Sequence, residues 1–486
     1  MFDPTDLQWS NGFASLGEAF YTRLPTPSHP QGLPEPRWLA TSPACAQWLG
    51  WPANWQDAPH ALAVFSGSTE WPGMARLASV YSGHQFGVWA GQLGDGRALW
   101  LGEVQTPHGG VELQLKGAGT TPYSRRGDGR AVLRSSIREF LCSEALHHLG
   151  VPTTRALALV GSPLPVRRER IESAAVVTRA ARSFVRFGHF EHFAHHGLHT
   201  ELRQLADFVI ARDFPHCADA PEPVAALLAE VALRSAELVA HWQALGFVHG
   251  VLNTDNLSIL GLTMDFGPFA FLDAWDPRRI TNHSDDQGRY TLARQPDIVW
   301  WSLHALAQAL LPLVSGEAVL REALAPYPGH FQARYAELMR AKLGLAAAQE
   351  GDELLWRDWL NLLAADKIDH TVAWRWLGDG VMGRVRDLFI DRAAFDTWAT
   401  RYRARLALEP EAADTRAARM RQTNPALVLR NHLAEEVIRA ADQGDLAPLH
   451  HLAAALARPY DETADNTHYT ALPPDWAGDL ELSCSS

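Results

Sequence analysis

Cysteine is scarce, with four (Cys45, Cys142, Cys217 and Cys484) in 486 residues. That is too few for a disulfide-built secreted fold, and no two of them lie at metal-site spacing. Long apolar runs are missing as well: nothing approaches the roughly eighteen apolar residues that a membrane-spanning helix requires. The opening MFDPTDLQWS has neither the cationic nor the apolar region of a secretory signal. Positive charge is in deficit, since 43 Lys and Arg stand against 55 Asp and Glu for a net charge of −12. A broad basic face for nucleic acid is therefore excluded, although a small basic pocket is not. These absences predict a soluble, cytoplasmic protein of a reducing compartment, with neither nucleic acid nor membrane as partner; a monomer is expected, although no residue pattern fixes the oligomeric state.

What is present is ordinary globular material, 47% hydrophobic and 20% charged, with an unusual 18 Trp that points to large packed cores. Residues 1–80, rich in Pro and Trp, read as an irregular N-terminal extension packed on the next segment. Over 81–205 the chain reads as a small mixed sheet with one helix. In FGVWAGQLGDGRALWLGEV (86–104), two apolar stretches flank Gly94-Asp95-Gly96, and the spacing predicts a hairpin turned at these glycines. VELQLKG alternates Val111, Leu113 and Leu115 and closes on Lys116. Leu133, Ile137, Phe140, Leu141 and Ala145 recur at helical spacing over 131–149, and RALALVGSPLPVRR and ESAAVVTRAA read as two more strands. Helices then dominate, at 223–245 and 297–313 within a segment 206–335, and in an Ala/Leu/Arg-rich region 336–486. The expected class is α+β: a sheet-bearing lobe, a helical lobe and an added C-terminal helical region, with the ligand cleft between the lobes.

HGVLNTDN (249–256) followed nine residues later by Asp265-Phe266-Gly267 carries the chemistry. Together they nearly spell a protein-kinase site, in which H-R-D-x-x-x-x-N supplies a base and a metal ligand and D-F-G a second ligand. His249 and Asn256 keep the spacing, but Val251 stands where the base belongs. Asn256 and Asp265 offer the carbonyl and carboxylate oxygens that a hard cation bridging nucleotide phosphates needs, if Ser258-Ile259-Leu260 forms a strand that folds the loop back. Asp255 is either a relocated base or merely a turn residue or outer ligand. Lys116, at a strand end, is either solvated or paired with Glu139 or Glu144 of the next helix, as a phosphate-holding Lys would be. Gly94 and Gly96 either cover phosphates or form a plain turn. Arg125, Arg126, Arg130, Arg134 and Arg138 are either a phosphate-binding cluster or a solvated, salt-bridged face. His192, His195, His196 and His199 share a helical face, yet Gly197 would break that helix and no Cys or carboxylate frame accompanies them, so zinc is not expected.

The runs YSGHQFGVWAGQLGDGRA, ELQLKGAGTTPYSRRGDGRAVLRSSIREFLCSEA, HGVLNTDNLSILGLTMDFGPFAFLD and NHSDDQGRY resemble the selenoprotein O (SelO, or YdiU) family over nearly the whole chain. The resemblance implies a two-lobed, kinase-like fold working as a protein adenylyltransferase. It moves AMP from ATP onto Ser, Thr or Tyr hydroxyls of target proteins, and UMP transfer with manganese is also ascribed to the family. ATP is bound in a flipped orientation. The implied nucleotide contacts are Gly94, Gly96, Arg97, Lys116, Asp128, Gly129, Arg179, Arg186 and Asp265, with Glu139 pairing Lys116. Asn256 and Asp265 are the implied ligands of Mg2+ or Mn2+, and Asp255 the implied proton acceptor. Cys484 stands where eukaryotic relatives carry selenocysteine. Ile280-Thr281 occupies the place of a Cys that some bacterial relatives pair with it, so the resemblance does not extend to that disulfide.

Overall fold

A computed structural model describes residues 2–24, 32–480 and 482. Its strands are β1 (Tyr21–Arg23), β2 (Arg37–Thr41), β3 (Leu77–Ser79), β4 (Ser82–Gln85), β5 (Val88–Gln92), β6 (Ala98–Thr106), β7 (Gly109–Lys116), β8 (Ala131–Val132), β9 (Arg155–Arg167), β10 (Ile171–Ala181), β11 (Phe247–Val248) and β12 (Ala270–Phe271). The main sheet is antiparallel, in the order β1-β3-β6-β7-β10-β9-β2, with β8 on β10. Helices of the first half are α1 (Pro43–Trp48), α2 (Ala61–Phe65), α3 (Leu133–His148), α4 (Phe187–His195), α5 (His199–Asp213), α6 (Pro223–Leu245) and α7 (Gln295–Leu310).

Period-two alternation decides what each face of this sheet meets. Val111, Leu113 and Leu115 of β7, with Ala174, Val176 and Ala180 of β10, point into a core built with Trp51, Trp55, Phe65 and Trp71. The first eighty residues are therefore not merely an irregular coat: they supply β1, β2 and β3 to the sheet and cover one of its faces. Their alternation is too short to show in the sequence, because each of these strands has only three to five residues. The opposite face, through Ala175, Val177 and Ala181, joins a second core with Ile137, Phe140 and Leu141 of α3. That core runs on without a break through Phe187, Leu227, Trp242, Phe266 and Leu303 to Leu433. Each fully buried Leu, Val or Phe contributes roughly 1.5–3 kcal/mol.

Helix α6 opens with Pro223 in its first turn and stops at Gly246, whose φ of +67° suits glycine. The chain then enters β11, which pairs with β12 and so ties together the two ends of the 249–269 stretch. The pairing is Phe247–Val248 with Ala270–Phe271, not the expected Ser258-Ile259-Leu260 strand. Ser258 makes one isolated bridge to Arg186 and turns at once, since the Gly261 amide bonds back to the Ser258 carbonyl.

Beyond α7 come α8 (Glu317–Leu324), α9 (Tyr327–Lys342), α10 (Asp352–Ala365), α11 (His370–Gly378), α12 (Met382–Arg386), α13 (Arg392–Leu406), α14 (Ala413–Thr423), α15 (Asn431–Asp442) and α16 (Ala447–Leu456). Trp356, Trp359, Trp374 and Trp398 fill a third core here. Buried Arg430 links this region inward, donating to Asp369 at 2.7 and 3.0 Å and to Asp273. No helix among the described residues is long and apolar enough to cross a membrane.

Lys342 is the costly member of the third core. It is 4% exposed, with its Nζ 4.8 Å from the Trp374 ring centroid, and burial pushes its pKa down to about 7. The unfolded chain holds this proton up to about pH 10.5, so between pH 7 and that value the unfolded state binds more protons and stability rises with pH. Lys342→Met is expected to add about 1–4 kcal/mol at pH 6 and almost nothing near pH 10.5. Urea unfolding of both proteins at the two pH values checks the sign; an equal gain at both would refute it.

Candidate active site

The alternation that sends Leu113 and Leu115 into one core sends Gln114 and Lys116 to the other side of β7. The register of β10 on β7 sets Arg179 opposite Gln114 and Val177 opposite Lys116, so Lys116 and Arg179 share a face. They look into a cavity of about 470 Å³ whose far wall is the 251–268 stretch. Gly94, Gly96, Arg97, Lys116, Asp128, Gly129, Arg179, Arg186, Asp255, Asn256 and Asp265 all line it. Glu139 stands behind, accepting from both Lys116 Nζ and Arg179 Nε. Glu144, the other expected partner, lies five residues on, about 140° round the helix. It accepts instead from Arg155 at 2.7 and 2.8 Å.

The buried end of the cavity is crowded with charge. Arg179 Nη2 donates to Asp265 Oδ1 at 2.6 Å, Arg186 Nη1 donates to Asp265 Oδ2, and Lys116 Nζ lies 4.0 Å from Oδ1. Arg179 Nη1 also reaches Gln114 Oε1 at 3.1 Å, while Arg186 sits over the Tyr81 ring at 5.0 Å. Burial alone would raise the Asp265 carboxyl pKa, but Arg186, Arg179 and Lys116 hold it well below the usual range. Burial pushes Lys116 down to about 8 against the pull of Glu139. Both guanidiniums stay firmly protonated despite burial, Arg179 through Glu139 and Arg186 through Asp265. Three cations and the carboxylates of Glu139 and Asp265, with Asp95 and Asp255 also in the field of Arg186, thus share a place poorly screened by water. Asp265 has φ of +62°, a left-handed conformation that a non-glycine residue keeps only when its surroundings enforce it; the two arginines do so.

Asp255 differs from Asp265 in every respect. Its Oδ2 accepts from Gln85 Nε2 at 3.2 Å, and Oδ1 is buried with no hydrogen-bond partner among the described residues. Burial, opposed by Arg186, pushes its pKa up to about 6. Asn256 Nδ2 donates to the Val251 carbonyl at 3.1 Å, so the amide oxygen is the atom that could ligate a cation. Among the described residues no three His, Cys, Asp or Glu side chains are grouped to hold a metal. The Asn256 oxygen and the Asp265 carboxylate, both on the cavity wall, are oxygen donors of the kind that suits Mg2+ or Mn2+. His249 acts structurally, its ring bonding the Met264 carbonyl at 2.8 Å, just ahead of Asp265.

The rim corrects the reading of the glycine turn. Gly94-Asp95-Gly96 does not tip a hairpin: β5 turns back on β4 at Phe86-Gly87, and residues 93–95 run beside 79–81. The Asp95 carboxylate pins them there, accepting from Ser79 N at 2.9 Å and Ser79 Oγ at 2.6 Å. The glycines are needed for close approach. A Cβ at Gly94 would lie 2.6 Å from the Tyr123 ring and one at Gly96 2.8 Å from its carbonyl. Gly129, at φ +65°, has its Cα side against the Gly119 carbonyl, 2.0 Å from where a Cβ would stand.

The five arginines do not form one cluster. Arg125 and Arg130 line the cavity, whereas Arg134 pairs with Glu172 at 3.1 Å. Arg138 is buried, donating to the Phe269 carbonyl at 3.0 Å and to Asn431 Oδ1 at 3.1 Å. Helical spacing explains the split, since Arg134 and Arg138 turn with α3 and leave the loop behind. Arg168, which no sequence signal marked, binds both Asp128 oxygens at 2.8 Å from the β9–β10 turn and lowers that carboxyl's pKa. Tyr81 and Gln85 were also missed, although they lie in the YSGHQFG run. Of the histidines, His192 bonds Ser82 Oγ at 2.9 Å, and the left-handed Gly197 follows the end of α4. Cys45, Cys142 and Cys217 are free and buried, and Cys484 lies outside the described residues.

A family described as "Protein adenylyltransferase SelO" matches residues 4–457. The chain is 53% identical to the protein nucleotidyltransferase YdiU of Cupriavidus metallidurans, over 98% of this chain and 91% of that protein. It is 54% identical to that of Burkholderia pseudomallei over 98% and 95%, and 52% to that of Variovorax paradoxus over 99% and 97%. At this identity and coverage the chain belongs to the SelO family, the protein adenylyltransferases.

Proposed function

We propose that this enzyme moves AMP from ATP onto Ser, Thr or Tyr hydroxyls of other proteins and releases pyrophosphate, on a two-lobed frame of the protein-kinase type. The observation that carries the reading is that three of the cavity's cations are buried at its deep end, already ordered by their ion pairs. Lys116, Arg179 and Arg186 are all less than a tenth exposed, whereas Arg97, Arg125 and Asp128 at the rim are exposed. A neutral, flat adenine gains little at an end filled by two guanidiniums and an ammonium, whereas a phosphate tail gains charge-assisted hydrogen bonds from all three. The triphosphate therefore enters tail first and the nucleoside stays between the Gly94–Arg97 segment and the 123–130 loop. In this flipped pose the α-phosphate, not the γ, faces the protein acceptor.

The residues then divide the work. Asp255 Oδ1 accepts the proton of the incoming hydroxyl, whose oxygen bonds to the α-phosphorus while the bond to the bridging oxygen breaks. Pyrophosphate leaves with its charge against Lys116, Arg179 and Arg186, which are already in place. When bound by Asn256 and Asp265, Mg2+ or Mn2+ supplies further neutralisation of phosphate oxygens. Glu139 keeps Lys116 and Arg179 aimed at the tail. Val251, buried on the cavity wall, explains why the γ-phosphorus has no base of its own. The same cations read only phosphates, which UTP shares, so UMP transfer is a second donor reaction that this arrangement supports. Buried free thiols fit a reducing, cytoplasmic setting, and one chain supplies every residue named, so a monomer suffices.

Labelled ATP tests the reading. Label at the α-phosphate is expected to appear on protein and label at the γ-phosphate in released pyrophosphate; retention of γ label alone would show an ordinary kinase.

A further inference from the structure

The carboxylate of Asp255 is held by one side chain. Gln85, at the end of β4, donates from Nε2 to Oδ2 at 3.2 Å and leaves Oδ1 unpartnered. The strand that carries Gln85 is fixed on the same loop at several points. The His84 amide donates to Thr254 Oγ1 at 2.8 Å and the Phe86 amide to Asn253 Oδ1 at 3.2 Å. A Cβ at Gly83 would stand 2.9 Å from Thr254 Oγ1 and 3.2 Å from Asp255 Cβ. A Cβ at Gly188 would stand 2.2 Å from the Ser82 carbonyl. Both glycines thus permit a contact too close for side chains, and the Gln85 amide has a set distance to Asp255.

The competing partner is Arg186, whose Nη1 already donates to the Asp255 backbone carbonyl at 2.6 Å. A buried carboxylate left with only its own backbone amide turns toward such a guanidinium, and an ion pair there would consume both the base and a phosphate ligand. A neutral amide orients the carboxylate without neutralising it; a Lys would pair with it and a Glu would repel it.

We propose that Gln85 is a positioning residue: its amide holds Oδ2 of Asp255 off Arg186, so that Oδ1 remains to take the acceptor's proton. This rests on the nucleotidyl transfer proposed above. Gln85→Met keeps length and volume but loses the N–H, and Gln85→Glu replaces the donor with an acceptor. With α-labelled ATP and the chain itself as acceptor, turnover is expected to fall roughly 10- to 100-fold in Gln85→Met and further in Gln85→Glu. The dissociation constant for ATP stays within about threefold and the thermal midpoint of Gln85→Met is unchanged, as a purely structural role would not predict. A crystal structure of Gln85→Met is expected to show the Asp255 carboxylate turned onto Arg186. Wild-type turnover in both variants, or an unmoved Asp255, overturns the proposal. If the wild-type chain transfers no α label, the reaction is wrong instead, and the position of Asp255 in the crystal alone decides the role of Gln85.

Discussion

Asp255→Asn is expected to bind ATP as the wild-type chain does and to transfer its nucleotidyl group about 10²–10⁴-fold more slowly. On the proposed mechanism the substitution removes the proton acceptor while keeping an oxygen for Gln85, and the phosphate tail is held by other residues. Because burial raises this carboxyl to about 6, wild-type transfer is expected to decline as pH falls through that value, and the residual rate of the variant to lack this step. Stability moves the other way. A folded-state pKa above the unfolded value means that the folded chain binds the extra proton between about pH 4 and 6. Above pH 6 the buried anion therefore costs stability, and Asp255→Asn should gain about 1–3 kcal/mol at neutral pH. Single-turnover rates, calorimetric ATP titration and urea unfolding check the three parts. A variant that transfers at the wild-type rate removes Asp255 from the reaction.

Asp265→Asn should do the opposite to the free protein. It removes the carboxylate to which Arg179 and Arg186 both donate and which lies 4.0 Å from Lys116, so the buried cations lose one balancing negative charge. Removing one member of such a buried set costs about 3–5 kcal/mol. It also takes away the anionic ligand proposed for a divalent ion, so transfer is expected to fall by at least about 10³-fold. Pyrophosphate supplies the missing negative charge, and should raise the thermal midpoint more in the variant than in the wild-type chain. Thermal unfolding with and without pyrophosphate measures this. Equal midpoints for the two free proteins would mean that the carboxylate does not balance the three cations.

These two carboxylates also mark what a reader of the sequence can and cannot see. Periodicity gave α3, α6, β7, β9 and β10 nearly to the residue, because each is long enough for its pattern to repeat. It failed for β1, β2 and β3, where three to five residues leave no pattern, and for Gly94-Asp95-Gly96, whose path is set by Ser79 on another strand. The spacing in HGVLNTDN and DFG brought Asn256, Asp255 and Asp265 together, but their opposite electrostatics come from Arg179, Arg186 and Gln85, all distant along the chain. Choosing Glu139 over Glu144 needed the helix to be placed against the sheet. Arg168 carries no local signal at all; only the meeting of two loops reveals it.

The uninterrupted apolar core that joins the strands to α3, α6, α7 and α15 passes behind the cavity. Prising the sheet away from the helices would expose it to solvent, at a cost in apolar burial. Parting Arg168 from Asp128 at the rim, by contrast, breaks only a partly exposed ion pair.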